Sequence, residues 1–264
     1  MAATVTDEER YDRMLEPFGR AALDGARLAA GQRVLDVGCG AGATTVDAAD
    51  RVAVSGRAVG IDLSAEILGR ARRRAAARGS RAEFVHGDAG SHPFAPCSFD
   101  AVISRFGTMH FADPEAAFAH LAGLLVPGGR LSFVAWQAAE RNAWASIPDA
   151  AVARHLPGEA PNLHRSAAGP FLLADPDRVR ALLGGAGFGG VRLAGIEHAA
   201  WVGSDPEDVL GFFAREAGAA VRASAGADLL AKVAADLSQE LARFATGDGV
   251  RLPAAAWLVT ATTG

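Results

Sequence analysis

Three aspartates each close a short apolar run: Asp36 after Arg33-Val34-Leu35, Asp62 after Ala58-Val59-Gly60-Ile61, and Asp88 after Glu83-Phe84-Val85-His86-Gly87. An ionised carboxylate only accepts hydrogen bonds, so it suits hydroxyls, amino groups and cations. Just past Asp36 lies Gly38-Cys39-Gly40-Ala41-Gly42. Glycines there permit a tight turn and let a ligand approach the backbone. Taken alone, Gly38, Gly40 and Ala43 also fit the G-x-G-x-x-G/A dinucleotide pattern. Beyond a fourth apolar run, Phe99 to Ser104, stand Arg105, Phe106 and His110. His110 is the candidate general base. Arg105 can pair with a carboxylate of a cofactor or substrate. Phe106, Trp136 and Trp144 can wall a flat or hydrophobic substrate. His155 and His164 are further imidazoles in a later segment.

Elements must bring these residues together. Residues 1–30 read as helix, with Leu15, Phe18, Ala22 and Leu28 at roughly helical spacing. From there strands and helices alternate: strand 33–38, helix 44–54, strand 58–62, a helix capped by Ser64, strand 83–86, strand 99–104, a helix opened by Asp113-Pro114, and strand 130–136 after a Gly128-Gly129 turn. Such alternation implies a parallel sheet covered by helices, and right-handed crossovers make it doubly wound. The fold class is therefore α/β, Rossmann-like. All three aspartates then fall at the carboxyl edge of the sheet, where open α/β folds bind ligands. Singly, each aspartate reads better as a cap or turn residue; the ordered set with the glycine loop reverses that. Residues 137–174 carry Pro148, Pro157, Pro161 and Pro170 and read as a lid insertion. A capped helix from Asp175, a strand at 191–198 and a last strand at 254–260 complete the core. Residues 205–246 read as a second, helical insertion broken near Gly226. The expectation is one domain, with core 31–136, 175–204 and 250–264 and lids 137–174 and 205–246.

Charge separates the possible ligands. A dinucleotide sets its diphosphate on the helix N-terminus, and a carboxylate at Asp36 opposes that. It suits an ammonium and a sulfonium, which S-adenosyl-L-methionine carries without any phosphate. Asp62 is placed to accept ribose hydroxyls, a feature both ligands share, and Asp88 to accept the adenine amino group. Here the chain resembles the class I S-adenosylmethionine-dependent methyltransferases. Val34-Leu35-Asp36-Val37-Gly38-Cys39-Gly40-Ala41-Gly42 is similar to the first motif of that family, Gly60-Ile61-Asp62-Leu63-Ser64 to the second, and Gly87-Asp88-Ala89 to the adenine motif. Phe99-Asp100-Ala101-Val102-Ile103-Ser104 resembles the fourth-strand motif, and Leu125-Val126-Pro127-Gly128-Gly129-Arg130-Leu131 the turn before strand five. Arg141-Asn142-Ala143-Trp144, Ala186-Gly187-Phe188 and the segment from Pro253 to Ala261 are also similar to bacterial members. The branch is that of small-molecule enzymes such as the ubiquinone and menaquinone C-methyltransferases. The resemblance implies a seven-stranded sheet with an antiparallel last strand, and a cofactor site on Asp36, Gly38, Cys39, Gly40, Gly42, Asp62, Leu63, Asp88, Ala89, Ser104 and Arg105, with Tyr11 closing over the methionine end. Many quinone-type members carry paired histidines after strand four; this chain has Met109-His110. No Asn-Pro-Pro-Tyr-type tetrapeptide follows that strand, which weighs against nucleic-acid bases as acceptors.

Composition excludes other chemistries. Among 264 residues Lys232 is the only lysine, so a P-loop has no Gly-Lys-Ser/Thr run and a Schiff base has little to form on. Cys39 and Cys97 are far apart and no HExxH helix exists, so no metal site is expected. A net charge of −4 does not suit broad contact with nucleic-acid backbone. The charged N-terminal stretch and the lack of a long apolar run argue against a signal peptide or membrane span, and a cytoplasmic location is expected. Partners reduce to a small-molecule substrate, with oligomeric state open. Two other readings stand beside methyl transfer: a protein that binds the cofactor without transferring methyl, as a binding module or cyclase, and an NAD-dependent oxidoreductase.

Overall fold

A computed structural model describes residues 6–155, 169–216 and 227–264. The core sheet begins with β1 (Arg33–Val37), β2 (Arg57–Asp62), β3 (Glu83–His86) and β4 (Phe99–Arg105). It continues with β5 (Leu125–Trp136), β6 (Phe188–Gly203), the short β7 (Ala245–Thr246) and β8 (Gly249–Thr263). Among the described residues these eight form one sheet, in the order β3-β2-β1-β4-β5-β8-β6 with β7 paired to β8. β1 runs parallel to both β2 and β4, and β8 runs antiparallel to β5. The α/β reading with a reversed last strand therefore holds. The seven strands of the expected sheet are joined by the two-residue β7, which the sequence hides inside a helical run.

The α-helices among the described residues are α1 (Asp7–Ala26), α2 (Ala43–Val52), α3 (Ala65–Ala77), α4 (Pro114–Leu124), α5 (Ala143–His155), α6 (Pro176–Gly185), α7 (Pro206–Glu216) and α8 (Ala227–Ala242). Their starts are chemically marked. The Ser64 hydroxyl accepts the Ile67 N–H at 3.3 Å, and Asp113 accepts the Ala116 N–H at 3.0 Å ahead of Pro114. Asp175 accepts the Asp177 N–H at 2.9 Å ahead of Pro176. Each cap satisfies a donor that the first turn leaves unpaired and stabilises its helix by about 1 kcal/mol.

The chain divides into two compact units. Residues 16–137, 168–196 and 256–264 form one. Its centre is built from strand residues without exposed surface, among them Val34, Leu35, Val59, Val102 and Phe133. Fully burying each large apolar side chain contributes about 1.5–3 kcal/mol. Register places Asp36 beside Gly60 of β2 on one side and Ile103 of β4 on the other. Leu125 pairs with Phe99 and the ladder resumes at Ala101 and Arg130, so residues 126–129 loop out as the expected glycine turn.

Residues 1–15, 138–167 and 197–255 form the other unit. Ala151 and Val152 of α5 pack with Val233 and Leu237 of α8. Arg10 is fully buried, lies 4.9 Å from the Phe212 ring centroid and binds Asp208 at 2.5 Å. The Asn142 amide donates to the Ala255 carbonyl at 3.1 Å and accepts the Ala255 N–H at 3.0 Å.

Candidate functional site

The glycine loop after β1 and the turn after β4 touch through their backbones. Gly38 sits at φ +65°, and a Cβ on it would lie 2.7 Å from the Cα of Gly107. A Cβ on Gly107 would overlap the Val37 carbonyl oxygen. The Ser104 hydroxyl locks the same junction, donating to the Val37 carbonyl at 2.7 Å and accepting the Gly107 N–H at 3.0 Å. Phe106 completes it at φ +63°, a left-handed conformation that costs a non-glycine residue about 1–3 kcal/mol. Its ring stacks on Trp136 at 3.8 Å between centroids, and Phe18 meets both rings edge-on.

This junction floors an open cleft of about 410 Å³ at the carboxyl edge of the sheet. Val37 and Gly38 line it from β1, and Ile61, Asp62 and Leu63 from β2. Gly87, Asp88 and Ala89 follow from the end of β3. Arg105, Phe106, Gly107 and His110 enter from β4 and the 3-10 turn Thr108–His110, followed by Phe111 and Ala112. Half of the residues expected at a cofactor, Gly38, Asp62, Leu63, Asp88, Ala89 and Arg105, thus line one cleft. Both oxygens of Asp62 are oriented by backbone, one by the Gly40 N–H and the other by the Ser64 N–H, each at 2.9 Å. Each oxygen keeps acceptor capacity for a hydroxyl. Leu63 is 68% exposed, unusual for a large apolar residue, and offers a flat ring a surface. Asp88 is also exposed, with one oxygen accepting the Gly90 N–H at 2.8 Å.

Asp36 is different: it lies behind the wall, 1% exposed. Its Oδ2 accepts the hydroxyls of Thr44 at 2.6 Å and Thr45 at 2.7 Å. Its Oδ1 is buried and has no hydrogen-bond partner among the described residues. Burial pushes the carboxyl up to about 6, against the downward pull of the two threonine hydroxyls and of the Arg105 charge. A buried acceptor left unpaired under a ligand cleft fits a cationic ligand and opposes a diphosphate. Cys39 is buried beside it, and burial together with the Asp36 and Asp62 charges pushes its thiol far up. It therefore remains a thiol, packed against Gly60, rather than a nucleophile.

Several other expected residues also stand behind the wall. Gly40 contributes its N–H to Asp62, as above. Gly42 sits at φ +81° where a Cβ would meet the Phe84 ring at 2.8 Å, so it serves packing. Ser104 is fully buried, its hydroxyl engaged within the junction. Trp136 backs Phe106 instead of facing the cleft. Tyr11 and Trp144 belong to the other unit. There Tyr11 meets the Phe212 ring edge-on at 5.6 Å, and the Trp144 indole donates to Asn142 at 3.3 Å. His155 is 3.0 Å from Asp236 of α8, and His164 and the break near Gly226 lie outside the described residues. The residues not anticipated are Thr44, Thr45 and Gly107. The hydroxyl pair eight and nine positions after Asp36 was the available signal for the first two. Gly107 carries none without its partner loop. Among the described residues no cluster of His, Cys, Asp and Glu could hold a metal, and no helix is long and apolar enough to cross a membrane.

The chain is similar in part to known proteins. Residues 34–129 match the methyltransferase domain family. An aklanonic acid methyltransferase from Streptomyces sp. is 36% identical over 128 residues, 47% of this chain and 58% of that protein. A demethylmenaquinone methyltransferase from Thermus thermophilus is 40% identical over 130 residues, 46% of this chain and 59% of that protein. The chain thus spans less than two thirds of the length of these curated relatives. The solved YcgJ protein of Bacillus subtilis has the same fold, with TM-score 0.60 and 20% identity over 94% of this chain and 98% of that one.

Proposed function

We propose, from the match of residues 34–129 to the methyltransferase domain family, that the chain transfers a methyl group from S-adenosyl-L-methionine to a small, flat, apolar acceptor. The observation that carries this is the cleft itself, where Asp62, Asp88 and Leu63 stand over a glycine junction backed by the buried Asp36 carboxylate. Asp62 takes the ribose hydroxyls, Asp88 the adenine amino group, and Leu63 packs on the adenine ring. Arg105 pairs with the cofactor carboxylate, and Asp36 answers the cationic methionine portion. The cofactor supplies an electrophilic methyl, so the chain's work is to orient the acceptor for in-line approach and exclude water. Phe106 provides the apolar surface for the acceptor. His110, exposed at the cleft on its 3-10 turn, takes the proton of an acceptor hydroxyl or enol. The names of the similar proteins, an aklanonic acid methyltransferase and a demethylmenaquinone methyltransferase, support a quinone- or polyketide-like acceptor.

Calorimetry with S-adenosylmethionine and with NAD tests the cofactor, and tighter binding of NAD overturns the proposal. Incubation with methyl-labelled cofactor and hydroxylated naphthoquinones or anthraquinones tests transfer. Cofactor binding with no labelled product across that panel would favour a protein that binds the cofactor without methylating these acceptors.

A further inference from the structure

The least expected feature of the site is how Asp36 is held. Two consecutive hydroxyls, Thr44 and Thr45 in the first turn of α2, converge on the same oxygen. Both threonines are buried, 4% and 0% exposed, so neither hydroxyl is solvated in place of this contact. The convergence needs space that another residue provides. Gly60, the register partner of Asp36 on β2, lies under Thr45 and Cys39. A Cβ there would be 2.7 Å from the Thr45 hydroxyl and 2.8 Å from the Cys39 sulfur. One oxygen of Asp36 is thus saturated from the helix side, while the other remains buried and unpartnered. An unpaired buried acceptor is costly, and it becomes favourable once a donor or cation arrives.

We propose that Thr44 and Thr45 are positioning residues that pin one oxygen of Asp36 so that the other is reserved for the cationic methionine portion of the cofactor. This rests on the reading of the cleft as an S-adenosylmethionine site. The pair discriminates by charge: it favours a ligand bearing ammonium and sulfonium over one that presents only adenine and ribose. The hydroxyls also help keep Asp36 ionised, since a hydrogen bond to a carboxylate stabilises its charged form. The other groups that act on this carboxylate are Arg105 of β4, which favours its charge, and Asp62 of β2, which opposes it. The Cys39 thiol, raised by burial first and then by the Asp36 charge, stays neutral.

The test measures binding by calorimetry from pH 5.5 to 8.5 for Thr44→Val, Thr45→Val, the double valine variant and the double serine variant. Two ligands are compared: S-adenosylmethionine and 5′-methylthioadenosine, which keeps adenosine and a neutral thioether but lacks both cationic groups. The double valine variant is expected to lose about tenfold or more in affinity for S-adenosylmethionine while binding methylthioadenosine within about twofold of the parent. The pH at which S-adenosylmethionine affinity falls on acidification should move upward in the valine variants, and the serine pair should restore it. Equal losses for both ligands, no loss for either, or a double serine variant as weak as the valine one would overturn the proposal. Failure of the unaltered protein to bind S-adenosylmethionine at any pH would instead overturn the cofactor reading beneath it.

Discussion

Replacing Asp36 with asparagine removes a carboxylate that the fold buries completely under the cleft, and the consequence for stability follows from its titration. Burial raises this carboxyl from the ordinary 3.8 to about 6. At about 1.4 kcal/mol per pH unit, that is about 3 kcal/mol. The native protein holds this proton more tightly than the unfolded chain does. The resulting stabilisation is full below about 3.8 and is lost as pH rises through about 6. Above that pH the parent protein bears the whole cost of an ionised, half-satisfied buried carboxylate. The amide of the Asp36→Asn variant cannot titrate. It also leaves a donor unpaired where Oδ1 now lies, but that penalty does not change with pH. Denaturant unfolding of both proteins, without ligand, at pH steps from 4 to 8 isolates the group. The stability difference, variant minus parent, should grow in favour of the variant by about 2.4 kcal/mol between pH 4 and pH 7. The same variant should bind S-adenosylmethionine less tightly at pH 7.5, because the opposing charge is gone. A stability difference that stays flat across this range would refute the claim that Asp36 is an ionised residue whose burial opposes folding.

Other perturbations follow from the same geometry. Gly107→Ala forces a Cβ into the Val37 carbonyl, so the loops after β1 and β4 must separate; overpacking costs about 1–3 kcal/mol by denaturant titration, and cofactor affinity should fall with it. Asp62→Ala should weaken cofactor binding at least about tenfold by calorimetry, since it removes a carboxylate held by two backbone donors. His110→Ala should leave binding nearly unchanged and slow methyl transfer by about 10²–10⁴-fold in a labelled-product assay; equal losses of binding in these two variants would contradict the roles assigned to them. Asn142→Ala removes a fully buried amide bridging to both backbone groups of Ala255, and should cost about 1–3 kcal/mol in unfolding experiments while leaving the cleft residues untouched.

Strands β1, β2 and β4 were legible because they are short, mostly buried and punctuated by glycine or by a helix cap. β1, β2 and β4 fall within a residue or so of where their apolar runs place them. The extents of the later strands were not. β6 runs from Phe188 to Gly203, well beyond the expected 191–198, and most of its first twelve residues are exposed. An edge strand that is not buried on both faces needs no apolar run, so Gly189, Gly190, Arg192 and Glu197 masked it. β7 is two residues long and exists only through its pairing with β8. α5 formed within the proline-bearing segment that reads as a lid insertion, with Pro148 buried inside the helix.

What the sequence alone determined is the chemistry available at the carboxyl edge. Asp36, Asp62 and Asp88 must reach that edge together, because strand and helix alternate with a fixed hand and each aspartate closes a strand or its following turn. What only the tertiary structure decided is which of them line the cleft. Side-chain direction past a glycine turn depends on neighbours distant in sequence. Gly107 sits against Gly38, Gly60 makes room beneath Thr45, and Thr44 and Thr45 hold one oxygen of Asp36. Asp62 and Asp88 therefore stand on the wall, Asp36 lies buried behind it, and Ser104 and Trp136 pack against residues that line the cleft.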